Sequence, residues 1–297
     1  MGVAERLRGE LEQLIKLIKW TLTGRVVAYS RTEYFIWAFP FEAINLVVGA
    51  LAWVYFTFIF PTRTSSVISE YSTDVVSYLL VGMAFNTYFG CALHDTQRVV
   101  VGLFKWRMFF GDTMISMSEY LRYAGIPRWA WITNTLLWSY IQRTSHFAVY
   151  MIVAALLGVP LLRAEAASYL SALLALLLAV VALTGVGLLG ASIILFSRNP
   201  WATLDPFTWF VSLTASLFAG VYFPPEILPS WLQPLSEALP QTHALRIARR
   251  CLLLRTPLTQ QLADLAKLLA LTLLYIFTSL IATKHAVRYV EKRGLKF

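Results

Sequence analysis

Few residues in this sequence have the types and spacing that chemistry requires. The four histidines, His94, His146, His243 and His285, lie far apart, and none belongs to H-E-x-x-H or another metal-ligand spacing. Cys91 and Cys251 are too few for a disulfide framework or a four-ligand zinc site, and they read as free apolar fillers. There is no G-x-S-x-G elbow for a serine nucleophile, and no G-x-x-x-x-G-K-[ST] loop to cradle ATP phosphates. Gly185-Val186-Gly187-Leu188-Leu189-Gly190 does match G-x-G-x-x-G. It lies inside a long apolar run with no strand before it, so the context for a dinucleotide is missing. Small residues that let two membrane helices approach closely explain it better, including the Gly187/Ala191 pair.

What remains is a set of charges in apolar surroundings. Arg143 falls near the middle of an apolar stretch, and His146 follows one turn later on the same helix face. Glu42, Asn45 and Asn86 add polar groups to other apolar stretches. Charges inside a bilayer are costly and mark substrate paths or buried pairs. Glu42 is a partner for Arg143 only if their depths match. The sequence leaves open whether these residues line a substrate path or bond helix to helix. Arg246, Arg249 and Arg250 share one helix face at i, i+3 and i+4. Such a triple either captures an anionic lipid head group or acidic substrate, or simply snorkels to a membrane surface.

The elements that must position these side chains follow from composition. The chain has 297 residues, 58% of them hydrophobic and 14% charged, with a net charge of +9. Its mean hydropathy is +0.63. Soluble domains carry about 25% charged residues. A chain this apolar cannot hide its side chains in ordinary soluble cores, and it is not disordered. The basic excess reads as membrane topology rather than nucleic-acid binding.

Six stretches are long and apolar enough to span a bilayer. They run from about 39 to 60, 75 to 93, 129 to 157, 169 to 196, 203 to 222 and 262 to 286. No signal peptide is visible, because six Lys/Arg and four Glu precede any long apolar run in the first forty residues. With the N-terminus inside, seventeen of the 25 Lys and Arg fall on the cytoplasmic side and seven outside. This bias predicts a multi-pass protein of the cell membrane with both termini cytoplasmic. Residues 1–38 form an N-terminal region in which Leu7, Leu11, Leu14, Ile15, Ile18 and Leu22 share one helical stripe. With Trp20 near its end, this amphipathic helix is expected to lie on the inner membrane face. The expected fold is therefore all-α. It has six transmembrane helices over 39–288, short re-entrant or outer helices over about 222–256 between spans five and six, and a basic tail at 289–297.

Two segments carry a resemblance. The first runs from Gly220 through Phe223, Pro224, Leu228, Pro229, Trp231, Leu232 and Leu235 to Leu239, Pro240, Thr242, Ala244 and Leu245. Pro229 suits a first helical turn, and Pro240 should end one helix and open the next. The pattern resembles the G-x-x-F-P-x-x-x-L-P-x-W-L-x-x-L…L-P-x-T-x-A-L stretch of type-2 ABC exporter permeases. The second segment is Met117 to Arg128, within a helix expected at about 113–126. It is similar to that family's coupling helix, G-T-L-E-x-L-x-x-S-P-I-x-R. It departs from the pattern at Met117 and Ser118, and in the stretch Phe104 to Phe110 that precedes it.

The resemblance covers about residues 25–295. It implies the permease subunit of an ATP-driven exporter, forming the translocation path with a second copy of itself or a homologous permease. ATP and magnesium would be bound by separate P-loop ATPase subunits, so this chain would hold no cofactor and would not itself be an enzyme. The coupling contacts implied are Ser118, Glu119, Tyr120, Leu121 and Tyr123. Membrane lipids are the other expected partners, and nucleic acid is not one. Ten Trp, 14 Tyr and 19 Phe permit contact with an amphipathic, lipid-like or drug-like cargo. The alternative is a secondary transporter or channel that needs no ATPase, although the last three spans do not repeat the first three.

Overall fold

The structure, a computed structural model, describes residues 3–20, 23, 39–59, 67–72, 74–105, 107–110, 113–159, 165–197 and 206–293. The chain is mostly helical. The helices are α1 Val3–Trp20, α2 Phe39–Ile59, α3 Val75–Gly90, α4 Thr96–Lys105 and α5 Met117–Tyr123. They continue as α6 Arg128–Leu156, α7 Ala166–Phe196, α8 Pro206–Phe218, α9 Gln233–Glu237, α10 Pro240–Leu253 and α11 Leu262–Arg293. Strands β1 Arg107–Phe110 and β2 Thr113–Ser116 pair antiparallel, with Phe109 opposite Met114. The fold is therefore not purely α-helical, as the helix period alone suggested.

Among the described residues, three stretches are long and apolar enough, by length and composition, to cross a membrane: Val75–Lys105, Ala166–Phe196 and Leu258–Lys292. The first exceeds the expected span. A π-helical turn at Cys91–Asp95 joins α3 to α4, so the helix carries on through His94 and Asp95 instead of ending near Leu93. Asp74 starts α3, accepting from the Ser77 backbone N–H at 2.6 Å. Helix α8 ends at Phe218, short of the expected 222, because Gly220 turns the chain at φ 80°.

Helix α7 is the centre of the packing and touches α11, α10, α4 and the π turn. Its inward face is small: Ala172, Ala175, Ala179 and Ala182 are buried at helical spacing. Its outward face is large and apolar, with Leu170, Leu173, Leu174 and Leu177 exposed. This is the reverse of a soluble helix and matches membrane packing, where small residues bring backbones together. The G-x-G-x-x-G run serves that packing. A Cβ on Gly185 would meet the Tyr275 backbone of α11 at 2.9 Å, and one on Gly187 would lie 2.5 Å from the Leu93 carbonyl oxygen in the π turn.

Candidate functional site

Three groups of side chains could do something beyond packing. The first joins α2, the π turn and α6. His146 Nε2 lies 2.9 Å from Glu42 Oε2, and its Nδ1 lies 3.3 Å from Arg143 Nη1. Arg143 Nη2 lies 3.9 Å from Asp95 Oδ2. A guanidinium only donates, so Nδ1 accepts from Arg143 and Nε2–H donates to Glu42. The expected Glu42–Arg143 pair is thus routed through His146, which stands between them. His146 is buried, while the side chains of Glu42 and Arg143 keep 44% and 39% of their exposure. Asn45 is exposed and Asn86 half-buried, and no bond ties either to this group. Asp95 was missed because span two was expected to stop two residues before it. His94 in the same turn meets Ser212 of α8 at 3.0 Å.

The second group is a cap built from the segment after α8. Arg249 is fully buried beneath it. Its Nε donates to the Tyr78 carbonyl at 3.1 Å, Nη1 to the Gly220 carbonyl at 2.6 Å and Nη2 to the Val221 carbonyl at 3.0 Å. Tyr78 Oη also donates to the Gly220 carbonyl, at 2.8 Å. Gly82 leaves the room: a Cβ there would overlap Arg249 Nη2 and the Val221 carbonyl. Neither reading of the arginine triple holds for Arg249, which reaches no membrane surface and no external anion. It staples α10 to α3.

Arg246 and Arg250 are likewise engaged internally. Arg246 donates to Glu237 Oε1 at 2.5 Å and to Glu226 Oε1 at 2.7 Å, and lies 3.6 Å from Asp264. Arg250 lies 3.5 Å from Asp264 and over the Tyr71 ring at 4.8 Å. Lys267 donates to Glu237 at 2.7 Å, and Tyr71 Oη donates to Glu226 at 2.6 Å. Burial, then the Glu226 bond, pushes the Tyr71 phenol above its ordinary range. Burial pushes the Glu237 carboxyl up, but bonds from Lys267 and Arg246 outweigh it and hold the group below the ordinary carboxylate value. His243, fully buried, lies 3.2 Å from Asp264 Oδ1 and 3.0 Å from the Glu237 carbonyl. The carboxylates Glu226, Glu237 and Asp264 bracket the arginines in sequence, and that spacing is the signal that could have found them.

The third group is α5. Ser116 caps it: its hydroxyl accepts from the Glu119 N–H at 3.2 Å, and its own N–H donates to Glu119 Oε2 at 2.7 Å. Helix α5 therefore starts at Met117, and residues 113–116, expected in it, are strand. Glu119 works first as the cap, and Ser118 and Leu121 are buried. Leu121 packs with Leu103, Phe104, Ile194 and Val290. Of the five expected coupling residues, Tyr120 and Tyr123 present exposed aromatic faces.

Among the described residues, no three His, Cys, Asp or Glu side chains converge as metal ligands would. No protein-family model matches the chain, and no curated protein matches it.

Proposed function

We propose that this chain is the membrane permease subunit of an ATP-driven exporter. The observation that carries the reading is the segment Gly220–Leu245. Three residues that match the permease pattern, Gly220, Pro240 and Thr242, help to build the cap. Gly220 makes the left-handed turn and offers its carbonyl to Tyr78 and Arg249. Pro240 opens α10, and Thr242 Oγ1 donates to the Ser236 carbonyl at 2.8 Å. Pro229 lies outside any helix, so it shapes the turn before α9 instead of starting a helix.

In this reading, α2, α6 and α8 complete six crossings with the three long apolar helices, and both termini are cytoplasmic. Helix α1 lies along the inner surface with Leu11 and Ile15 exposed for lipid. Helix α5 faces the ATPase subunits with Tyr120 and Tyr123. ATP-driven closure of those subunits pushes α5, and two permeases shift against each other as a bistable interface. The charged side chains of α2 and α6, with Asn45 and Asn86, border the path of an amphipathic, lipid-like or drug-like cargo.

The test is a mild-detergent purification of the chain expressed with its natural neighbours. A stoichiometric P-loop ATPase whose hydrolysis rises with cargo supports the exporter. A permease that transports without any ATPase overturns it in favour of a secondary transporter or channel.

A further inference from the structure

We propose that the C-terminal end of α11 is a binding site for the phosphate of an anionic phospholipid head group, held by Lys284, Arg288 and Lys292. The inference needs only that α11 crosses a membrane, and it stands whether or not the chain is an exporter permease. Leu273, Phe277 and Ile281 are apolar residues of α11 that keep 60%, 71% and 53% of their exposure. Each has an exposed cation eleven residues later, which is Lys284, Arg288 and Lys292 in turn. Eleven residues close three helical turns to within about 20°. The three pairs therefore make one stripe, apolar first and basic toward the end of the helix. The rise over that interval is about 16 Å, close to half of a hydrocarbon core about 30 Å thick. The stripe has the profile of one lipid of one leaflet, with the head group at the cations and a chain along Ile281, Phe277 and Leu273.

The cations have no internal partners to occupy them. Among the described residues, no carboxylate is bonded to Lys284, Arg288 or Lys292. They stand at i, i+4 and i+8, where like charges repel. An anion shared between them removes that repulsion. Arg288 and Lys292 also line a cavity of about 300 Å³, at the small end of ligand sites. The third residue lining it is Glu291, whose carboxylate by itself would oppose a phosphate. Arg128 of α6 offsets that charge, donating to Glu291 Oε1 at 2.6 Å. Arg128 is itself held over the Phe104 ring, 5.5 Å from the centroid. With that pair cancelled, the charge left at the cavity is positive.

The depth is consistent with a head group. Tyr289, next to Arg288, packs against Phe196 at the end of α7, with ring centroids 5.4 Å apart. A tyrosine at the end of an apolar span marks the junction between lipid chains and head groups. A soluble phosphate would use the cations alone. The alignment of the cations with the apolar row is what favours a lipid.

The experiment is native mass spectrometry of the whole protein, released from mild detergent that contains equal amounts of phosphatidylglycerol and phosphatidylcholine. The expected result is preferential retention of phosphatidylglycerol. Arg288→Gln should lower that retention about five-fold, the effect of one cation at an anionic membrane surface. Arg122→Gln, which removes an exposed cation from α5, should leave it unchanged. Equal retention of the two lipids by the unaltered protein overturns the proposal. So does an equal loss in the two variants, which would show a diffuse field instead of a site. Displacement of the phosphatidylglycerol by an equal concentration of glycerol phosphate assigns the cations to a soluble phosphate and overturns the lipid. Displacement by a co-purifying ATPase assigns them to a protein surface and overturns it equally. The lipid comparison uses the unaltered protein, so a variant that misfolds does not obscure the answer.

Discussion

Arg249 sits over the ring of Tyr78, its guanidinium carbon 3.4 Å from the ring centroid. The same guanidinium gathers three backbone carbonyls, and no carboxylate is bonded to it. Charge is held here by π electrons and peptide dipoles, in a space that Gly82 leaves open. Replacing Arg249 with Leu removes a donor from three buried carbonyls, of which Gly220 keeps the Tyr78 hydroxyl, and should cost about 3 kcal/mol. Gly82→Ala crowds the same contact and should cost about 2 kcal/mol. Thermal unfolding in detergent measures both, and the double variant should lose less than the two costs added, because both act on one contact.

The close approach of α7 to the π turn gives a second test. Gly187→Ala places a methyl group against the Leu93 carbonyl and should destabilise by about 2 kcal/mol. Gly90→Ala, one residue before the turn, meets nothing within 4 Å. It should be neutral or stabilise by about 0.5 kcal/mol, since the backbone there is already helical. Equal effects at the two sites would show that close approach does not govern α7.

The cap built from the segment after α8 should fail in acid. Glu237 has its carboxyl held below the ordinary value of 4.5, so its stabilisation is present above that value. It is lost as pH falls through the lowered value of the folded state. Lys267→Met removes one of the bonds that hold it down. That variant should begin to unfold at higher pH than the parent, as followed by fluorescence during acid titration. Identical acid midpoints would exclude Glu237 as the group responsible.

Helix α5 separates folding from docking. Ser116→Ala breaks the capping box and should cost about 1 kcal/mol. Tyr120→Ala and Tyr123→Ala remove exposed rings and should leave thermal stability within about 0.5 kcal/mol. If α5 meets an ATPase, the tyrosine variants lose cargo-stimulated hydrolysis while remaining folded. Glu119→Lys does not separate the two effects, because it both uncaps the helix and recharges its face.

The apolar runs made α2, α6, α7 and α11 legible, because about twenty apolar residues have few alternatives to a helix. Periodicity also placed Arg143 and His146 on one face. It could not see Asp95, because the run Leu93-His94-Asp95 looks like the end of a helix when read by hydropathy. It also missed the β1–β2 hairpin, whose strands are only four residues each. The arginine triple was legible as a face but not as a staple. Whether such a face meets lipid, substrate or peptide carbonyls depends on Gly82 and Gly220, which lie 167 and 29 residues away from Arg249 in sequence.

The π turn between α3 and α4 sets the phase of everything below it. One surplus residue rotates the lower helix by about 100° relative to an uninterrupted one. Above the turn, Tyr78 and Gly82 are aimed at Arg249; below it, Leu103 and Phe104 are aimed at Leu121. Both aims hold only at this count of residues. Deleting any single residue from Cys91–Asp95 would keep the composition and hydropathy of the span almost unchanged. It would still force the chain to choose between the Arg249 cap and helix α5. The length of this helix, counted to one residue, is thus what makes its two ends answer to each other.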